Sequence, residues 1–242
     1  MLIVRDPRAS ANPAGDNFGA FVPQLLSMRS PAAMQHPVAR PISRTNAAID
    51  AKRVLDIIVS AFALALLAPL LLAISILILA DSDGPVFFRQ KRVGLGGRTF
   101  RIVKFRTMDV MEDGDTVVQA HERDARITRI GRYLRKSSLD ELPQLLNVLA
   151  GDMSLVGPRP HALSHDRYYA ALIEDYVLRH RVKPGITGWA QVHGLRGATP
   201  TVEAMQARVT HDLWYARHAS LALDVAILLR TPAEVLHQRN AL

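Results

Sequence analysis

The longest apolar stretch of the chain runs from Ile57 to Ala80, carries no charged residue, and has Pro69 near its middle. As a continuous helix it extends about 36 Å, enough to cross the hydrocarbon of a bilayer. Lys52, Arg53 and Asp56 precede it, and Asp81, Asp83, Arg89, Lys91 and Arg92 follow. Basic residues at both ends are a poor signature for a simple crossing, because Lys and Arg in loops favour the cytoplasmic side. Pro69 removes one helix hydrogen bond and its ring clashes with the carbonyl four residues back. The pattern predicts a membrane segment rather than a buried helix of a soluble core. Within the membrane it favours a kinked helix that enters and returns through one face over one that spans.

The rest of the chain has shorter periods. Residues 84–88 and 100–105 read as strands, the second alternating as Phe-Arg-Ile-Val-Lys-Phe, with Gly94, Gly96 and Gly97 turning the chain between them into a hairpin. Helices are expected over the basic segment Arg126 to Lys136, over 139–149, over 162–180 and over 201–218, with turns through 183–197. Residues 109–124 are acidic and polar and read as a loop or a short exposed helix. Residues 219–230 are apolar apart from Asp224 and Arg230 but too short to span, so they lie at the membrane interface or pack on the domain. The first 50 residues hold Pro7, Pro13, Pro23, Pro31, Pro37 and Pro41 among Ala, Ser, Asn and Arg, a composition for a flexible arm and not for a secretory signal. The expected organisation is an arm over 1–50, a membrane helix over 51–83, an α+β domain over 84–236 that is mostly helical with a short β-hairpin, and a tail over 237–242.

Composition narrows the chemistry. The chain of 242 residues has a formal net charge of +8, which suits nucleic acid, an anionic membrane surface or phosphorylated substrates. From Arg89 to Arg106 every charged residue is basic; this is either a solvated hairpin face or, as closeness to the membrane run favours, a surface for anionic lipid headgroups or substrate phosphates. Nucleic acid is disfavoured by that same apolar run and by the lack of an aromatic stacking platform. The absence of cysteine excludes disulfides, thiol catalysis and cysteine-ligated metals. Residues Lys91 to Gly97 lack the Gly-Lys-Ser/Thr end of a phosphate loop. His161 and His165 stand four apart with Asp166 adjacent, a weak metal pattern.

One carboxylate pair stands out. Asp140 and Glu141 follow Ser137 and Ser138 and precede an apolar helix. Asp140 as helix N-cap places Pro143 where its missing N–H costs little, whereas Ser138 as N-cap makes a capping box with Glu141 but pushes Pro143 deeper. A helix N-terminus also stabilises a carboxylate anion, which suits a nucleophile that attacks phosphorus. Arg135 lies five residues before Asp140, and Arg159 lies in the stiff turn Gly157-Pro158-Arg159-Pro160. Both are candidates for phosphate, which the guanidinium fork binds through paired hydrogen bonds.

Several strings, in order, resemble the bacterial sugar transferase family, the monotopic polyprenyl-phosphate phosphoglycosyl transferases. They are Lys52-Arg53-x-x-Asp56, the segment Asp83 to Gly94, Lys104-Phe105-Arg106-Thr107-Met108, the segment Ser138 to Gln144, the segment Gly151 to Pro160, and the segment Val182 to Val192. The resemblance implies transfer of a hexose 1-phosphate, galactose or glucose, from a UDP-sugar to undecaprenyl phosphate, as the first membrane step of exopolysaccharide or other surface glycan synthesis. It implies Asp140 as nucleophile and magnesium ligand, Glu141 as its catalytic partner, Arg135 and Arg159 as phosphate ligands, and Mg2+ as cofactor. It implies a re-entrant helix broken at Pro69 and anchored through Lys52, Arg53 and Asp56, with a cytoplasmic catalytic domain at the bacterial inner membrane. Membrane lipid, a second copy in a homodimer and downstream glycosyltransferases are the partners expected, and nucleic acid is not. Two positions depart from the family pattern: Ala68 stands before the proline where serine is usual, and Ala219 stands where a tryptophan often precedes Ser220-Leu221. The larger relatives carry several membrane helices ahead of this core, where a short arm is expected here.

Overall fold

The computed structural model describes residues 46–109 and 124–237. Most of the N-terminal arm, nearly all of the acidic stretch 109–124 and most of the tail lie outside the described residues.

Helix α1, Asn46–Asp81, runs unbroken through Pro69. Its apolar part, Ala51–Asp81, is long and apolar enough to cross a membrane; the most apolar window within it has a mean hydropathy of 2.9, and only 11% of that window is buried in the protein. A core helix of a soluble domain would be covered by protein. Here Ile58, Phe62, Leu66, Leu72, Ile76 and Leu79 are each more than half exposed, a face whose natural cover is lipid. The protein is membrane-associated through this helix.

Both ends of α1 are fastened to the same α+β domain. Near the start, Lys52 donates to Asp224 Oδ2 at 2.7 Å and to the carbonyl of Val156 at 3.2 Å. Arg53 donates to the carbonyls of Val148 and Leu149, and the buried Asp56 accepts from Ser154 Oγ and the amide of Leu155. At the other end, Asp81 accepts from the amide of Ile130 at 2.9 Å, and the buried Arg106 guanidinium donates to the carbonyls of Ser82, Asp83 and Pro85. Val59, Ala63 and Leu64 pack on a core built from Val148, Met153, Val156, Tyr215 and Ile227. Ile74 and Ile78 pack with Phe105 and Leu134 in a separate cluster.

The domain begins with the predicted hairpin. Strand β1, Phe87–Val93, pairs antiparallel with β2, Thr99–Phe105, from Phe87 opposite Phe105 to Val93 opposite Thr99. Helix α2, Arg129–Ser137, leads into a 3-10 turn, Leu139–Glu141, and then α3, Gln144–Ala150. Strands β3, Ser154–Val156, and β4, Gly185–Thr187, form a short parallel pair. Between them come α4, Leu163–Leu172, and a 3-10 turn, Tyr176–Arg181, where the sequence pattern predicted one helix. The chain closes with α5, Val202–His218, and α6, Leu221–His237. The apolar segment 219–230 forms the start of α6: Asp224 and Ile227 turn inward, while Leu221, Val225 and Leu229 stay exposed. At the β3–β4 crossing a Cβ on Gly157 would collide with the carbonyl oxygen of Lys183, so a side chain there would push apart the turn that carries Arg159.

Candidate active site

The Asp140–Glu141 turn is made by an unusual backbone. Ser138 follows α2 with φ 59° and is the one non-glycine residue with positive φ among the described residues. This left-handed residue ends α2 and starts the 3-10 turn, and such conformations cluster at functional sites. The capping expectation is corrected here. Helix α3 begins at Gln144 after Pro143, so neither Asp140 nor Ser138 caps it, and Ser138 makes no side-chain cap bond. Pro143 blocks helix propagation and leaves 139–141 as a separate tight turn.

Helix α3 is pinned to the hairpin through Asn147, whose Oδ1 accepts from the amide of Val103 at 2.9 Å and whose Nδ2 donates to the carbonyl of Arg101 at 2.8 Å. That docking brings Lys104 of β2 onto the carboxylates. Lys104 Nζ lies 2.7 Å from Glu141 Oε1 and 3.9 Å from Asp140 Oδ2. Arg159 grips Glu141 through both fork nitrogens, with Nη1 donating to Oε2 at 2.9 Å and Nη2 to Oε1. Arg135 and Arg196 face the same pair without hydrogen-bonding it.

The two carboxylates are therefore unlike. Burial opposes the charge of Glu141, but Arg159 and Lys104 more than offset it and hold the group well below the usual glutamate range. It stays ionised with both oxygens engaged. Asp140 accepts no hydrogen bond from a described residue. Burial raises its pKa to about 6, against the lowering effect of Lys104 and with a further rise from the charge of Glu141. This reverses the expectation of a carboxylate stabilised by a helix N-terminus.

The turn carrying Arg159 is braced from behind. The buried Arg179 donates to the carbonyl of Arg159 at 2.7 Å and to Asp212 Oδ2 at 2.7 Å. His161 lies between Tyr176, Arg179 and Arg208, and burial followed by those arginines keeps it neutral, with a pKa well below the ordinary value. Asp166 accepts from Tyr176 and pairs with His180. The His161–His165–Asp166 pattern therefore gives a structural network, and no group of three His, Cys, Asp or Glu suited to a metal occurs among the described residues.

Magnesium fits the site in one way. Both Glu141 oxygens are taken by cations, whereas Asp140 offers hard oxygen atoms unencumbered by hydrogen bonds. An ion held by one carboxylate and completed by substrate phosphates and water is the usual magnesium arrangement.

Of the residues expected from sequence, Asp140, Glu141, Arg135 and Arg159 converge. Lys52, Arg53 and Asp56 bond to the domain some way along the chain from the site, and Pro69 sits inside α1. From sequence, Lys104 belongs to the basic run Arg89 to Arg106, a candidate surface for lipid headgroups or substrate phosphates, and to the string Lys104 to Met108, but has no role of its own, and Arg196, in a glycine-flanked turn, is not singled out.

The domain that holds α1 thus presents one carboxylate without a hydrogen bond among several cations, a setting electrostatically suited to a phosphorylated ligand. The bacterial sugar transferase family model matches residues 47–238, and the chain belongs to that family. It is 53% identical over 201 residues to a UDP-glucose:undecaprenyl-phosphate glucose-1-phosphate transferase of Xanthomonas campestris pv. campestris, covering 83% of this chain and 42% of that protein. It is 55% identical over 190 residues to a protein of the same name from Caulobacter vibrioides, covering 78% of this chain and 71% of that one. It is 45% identical over 184 residues to the exopolysaccharide production protein PSS of Rhizobium leguminosarum bv. phaseoli, covering 74% of this chain and 92% of the relative. The chain thus spans about two fifths of the Xanthomonas relative and most of the other two.

Proposed function

We propose that this protein transfers glucose 1-phosphate from UDP-glucose to undecaprenyl phosphate through a phosphosugar ester on Asp140. The reading rests on the contrast within the carboxylate pair: Asp140 alone is free of hydrogen bonds and faces Lys104, Arg135, Arg159 and Arg196. The names of the Xanthomonas and Caulobacter relatives supply the sugar and the acceptor.

In the first step an Asp140 carboxylate oxygen attacks the sugar-bearing phosphorus. The bond from that phosphorus to the bridging oxygen breaks, and uridine monophosphate leaves with the electron pair. In the second step an oxygen of undecaprenyl phosphate attacks the same phosphorus and the bond to Asp140 breaks, which restores the carboxylate and yields the lipid diphosphate sugar. Two displacements through a covalent intermediate let a water-soluble donor and a lipid acceptor use one site in turn. Arg159, Arg135 and Lys104 offset charge that grows on the phosphoryl oxygens. Glu141 is not a base in this scheme; it holds Lys104 and Arg159 in place. Magnesium bound at Asp140 would supply further neutralisation of the diphosphate.

Docking of both ends of α1 to one domain supports a re-entrant placement, with the domain on the cytoplasmic face of the inner membrane where sugar nucleotides are made. A homodimer and hand-over to downstream glycosyltransferases belong to the same proposal.

A panel of nucleotide sugars with undecaprenyl phosphate and magnesium tests the reading. The expected result is release of uridine monophosphate from UDP-glucose by the wild-type protein, none by Asp140→Asn, and a hexose-phosphate adduct on the peptide holding residue 140. Wild-type turnover by Asp140→Asn would end it.

A further inference from the structure

Beside the carboxylates lies a second feature. A cleft of about 290 Å³ opens between the catalytic turn, β4 and α6. Glu141 lines it at one point and Arg196 at another, while Leu142, Leu145, Ile186 and Val192 make apolar walls. Two hydroxyls, Thr187 Oγ1 and Thr231 Oγ1, meet at 2.8 Å on the lining. Gln191 also lines the cleft and is 6% exposed; its Nε2 donates to the carbonyl of Ile186, but its Oε1 is buried with no hydrogen-bond partner. A buried acceptor left unpaired is destabilising, so an orphan of this kind in a cleft calls for a donor from outside the protein.

Resting on the transferase reading, we infer that this cleft seats the uridine of the sugar nucleotide, with the base between the apolar walls, its N3–H donating to Gln191 Oε1, and Arg196 bound to the phosphate that leaves with the nucleoside. A uracil ring has a flat apolar face and an edge in which a donor lies between two carbonyl acceptors. The donor of that edge matches the one orphan acceptor on the lining, whereas both threonine protons are taken, Thr231 Oγ1 donating to the carbonyl of Ile227 and Thr187 Oγ1 to Thr231. The volume is at the small end for ligand sites, suited to one nucleoside. The isoprenoid end of the acceptor has no donor to offer, and its entry would leave the Gln191 oxygen buried and unpaired. Arg196 fits the junction between cleft and chemistry: it feels the charges of Glu141, Arg159 and Asp140 while making no hydrogen bond or ion pair with a described residue.

The test uses full-length protein in detergent with UDP-glucose and undecaprenyl phosphate, plus uridine and cytidine monophosphates as product inhibitors. For Gln191→Met the expected result is a rise of about tenfold in the donor KM and in the inhibition constant of uridine monophosphate, with the acceptor KM unchanged. The preference for uridine over cytidine monophosphate, whose ring nitrogen at position 3 is an acceptor, shrinks with it. Arg196→Gln weakens both monophosphates alike. A rise in the acceptor KM with uridine monophosphate inhibition unaltered would assign the cleft to the lipid and overturn the inference, as would no change in either constant. Should Gln191→Met fail to fold, the wild-type protein decides: calorimetric binding of uridine and cytidine monophosphates with equal affinity rejects base recognition here. Absence of turnover by the wild-type protein with every sugar nucleotide is a different result, and it removes the transferase reading itself.

Discussion

At the scale of single residues, the decisive quantity is the proton on Asp140. Its pKa of about 6 means the nucleophile is ionised at neutral pH and lost to protonation below. The expected kcat/KM profile falls about tenfold per pH unit on the acid side of that value, read from initial rates of uridine monophosphate release. Stability runs the opposite way. The unfolded carboxyl titrates near 3.8 and the folded one near 6, so the folded state binds the extra proton between them. The contribution of this group favours folding below that window and is lost as pH rises through it. Asp140→Asn, which mimics the neutral form, is therefore expected to melt no lower than wild type at pH 7.5, and up to about 3 kcal/mol more stable, while turnover vanishes. Arg159→Lys keeps the charge but loses the two-pronged grip on Glu141, and a fall in kcat of about 10–100-fold is expected, with far-UV circular dichroism unchanged. Asp140, Glu141 and Arg159 could be picked out as candidates from sequence because they occupy rigid, short-range settings, a Pro-stopped turn and a Pro-Arg-Pro corner, while Arg135, in the last turn of α2, was picked out by its closeness to Asp140 along the chain. Lys104 was visible only as one of the basic residues from Arg89 to Arg106 and Arg196 not at all, since a chain with 30 Lys and Arg offers many cations and only tertiary contact selects among them.

At the scale of elements, the long periodic pieces were readable and the short ones were not. The apolar α1, the hairpin and α5 follow from period and turn residues. The three-residue strands β3 and β4 carry no period that sequence can display, and their pairing depends on a glycine crossing between distant segments. The break at 139–143 follows locally from Pro143 and the left-handed Ser138, whereas the 3-10 turn that ends 162–180 carries Arg179, which is held by distant partners, Asp212 and the carbonyl of Arg159. The tie between α1 and α6 is testable on its own. Lys52 is the cation paired with Asp224, whose side chain is 1% exposed. Lys52→Met strands that carboxylate, and a loss of about 3 kcal/mol is expected from denaturant unfolding in detergent. Asp224→Asn together with Lys52→Met should recover part of it.

At the scale of the whole molecule, a 36-residue helix that leaves most of its apolar face uncovered while both ends hold one domain defines how the protein meets the membrane. Cysteines placed at Ala51 and Arg89, both exposed, are expected to react with a membrane-impermeant maleimide from the cytoplasmic side of inverted vesicles. Labelling from opposite sides would require a span. Arg53 adds a consequence. It holds the last carbonyls of α3, and α3 starts four residues after Asp140 and three after Glu141. A seven-residue rod thus joins the lipid-facing helix to the reacting carboxylate. Thicker or stiffer bilayers that strain the entry of α1 should therefore register as altered turnover, so the lipid environment acts on this chemistry as a mechanical input as well as the source of one substrate.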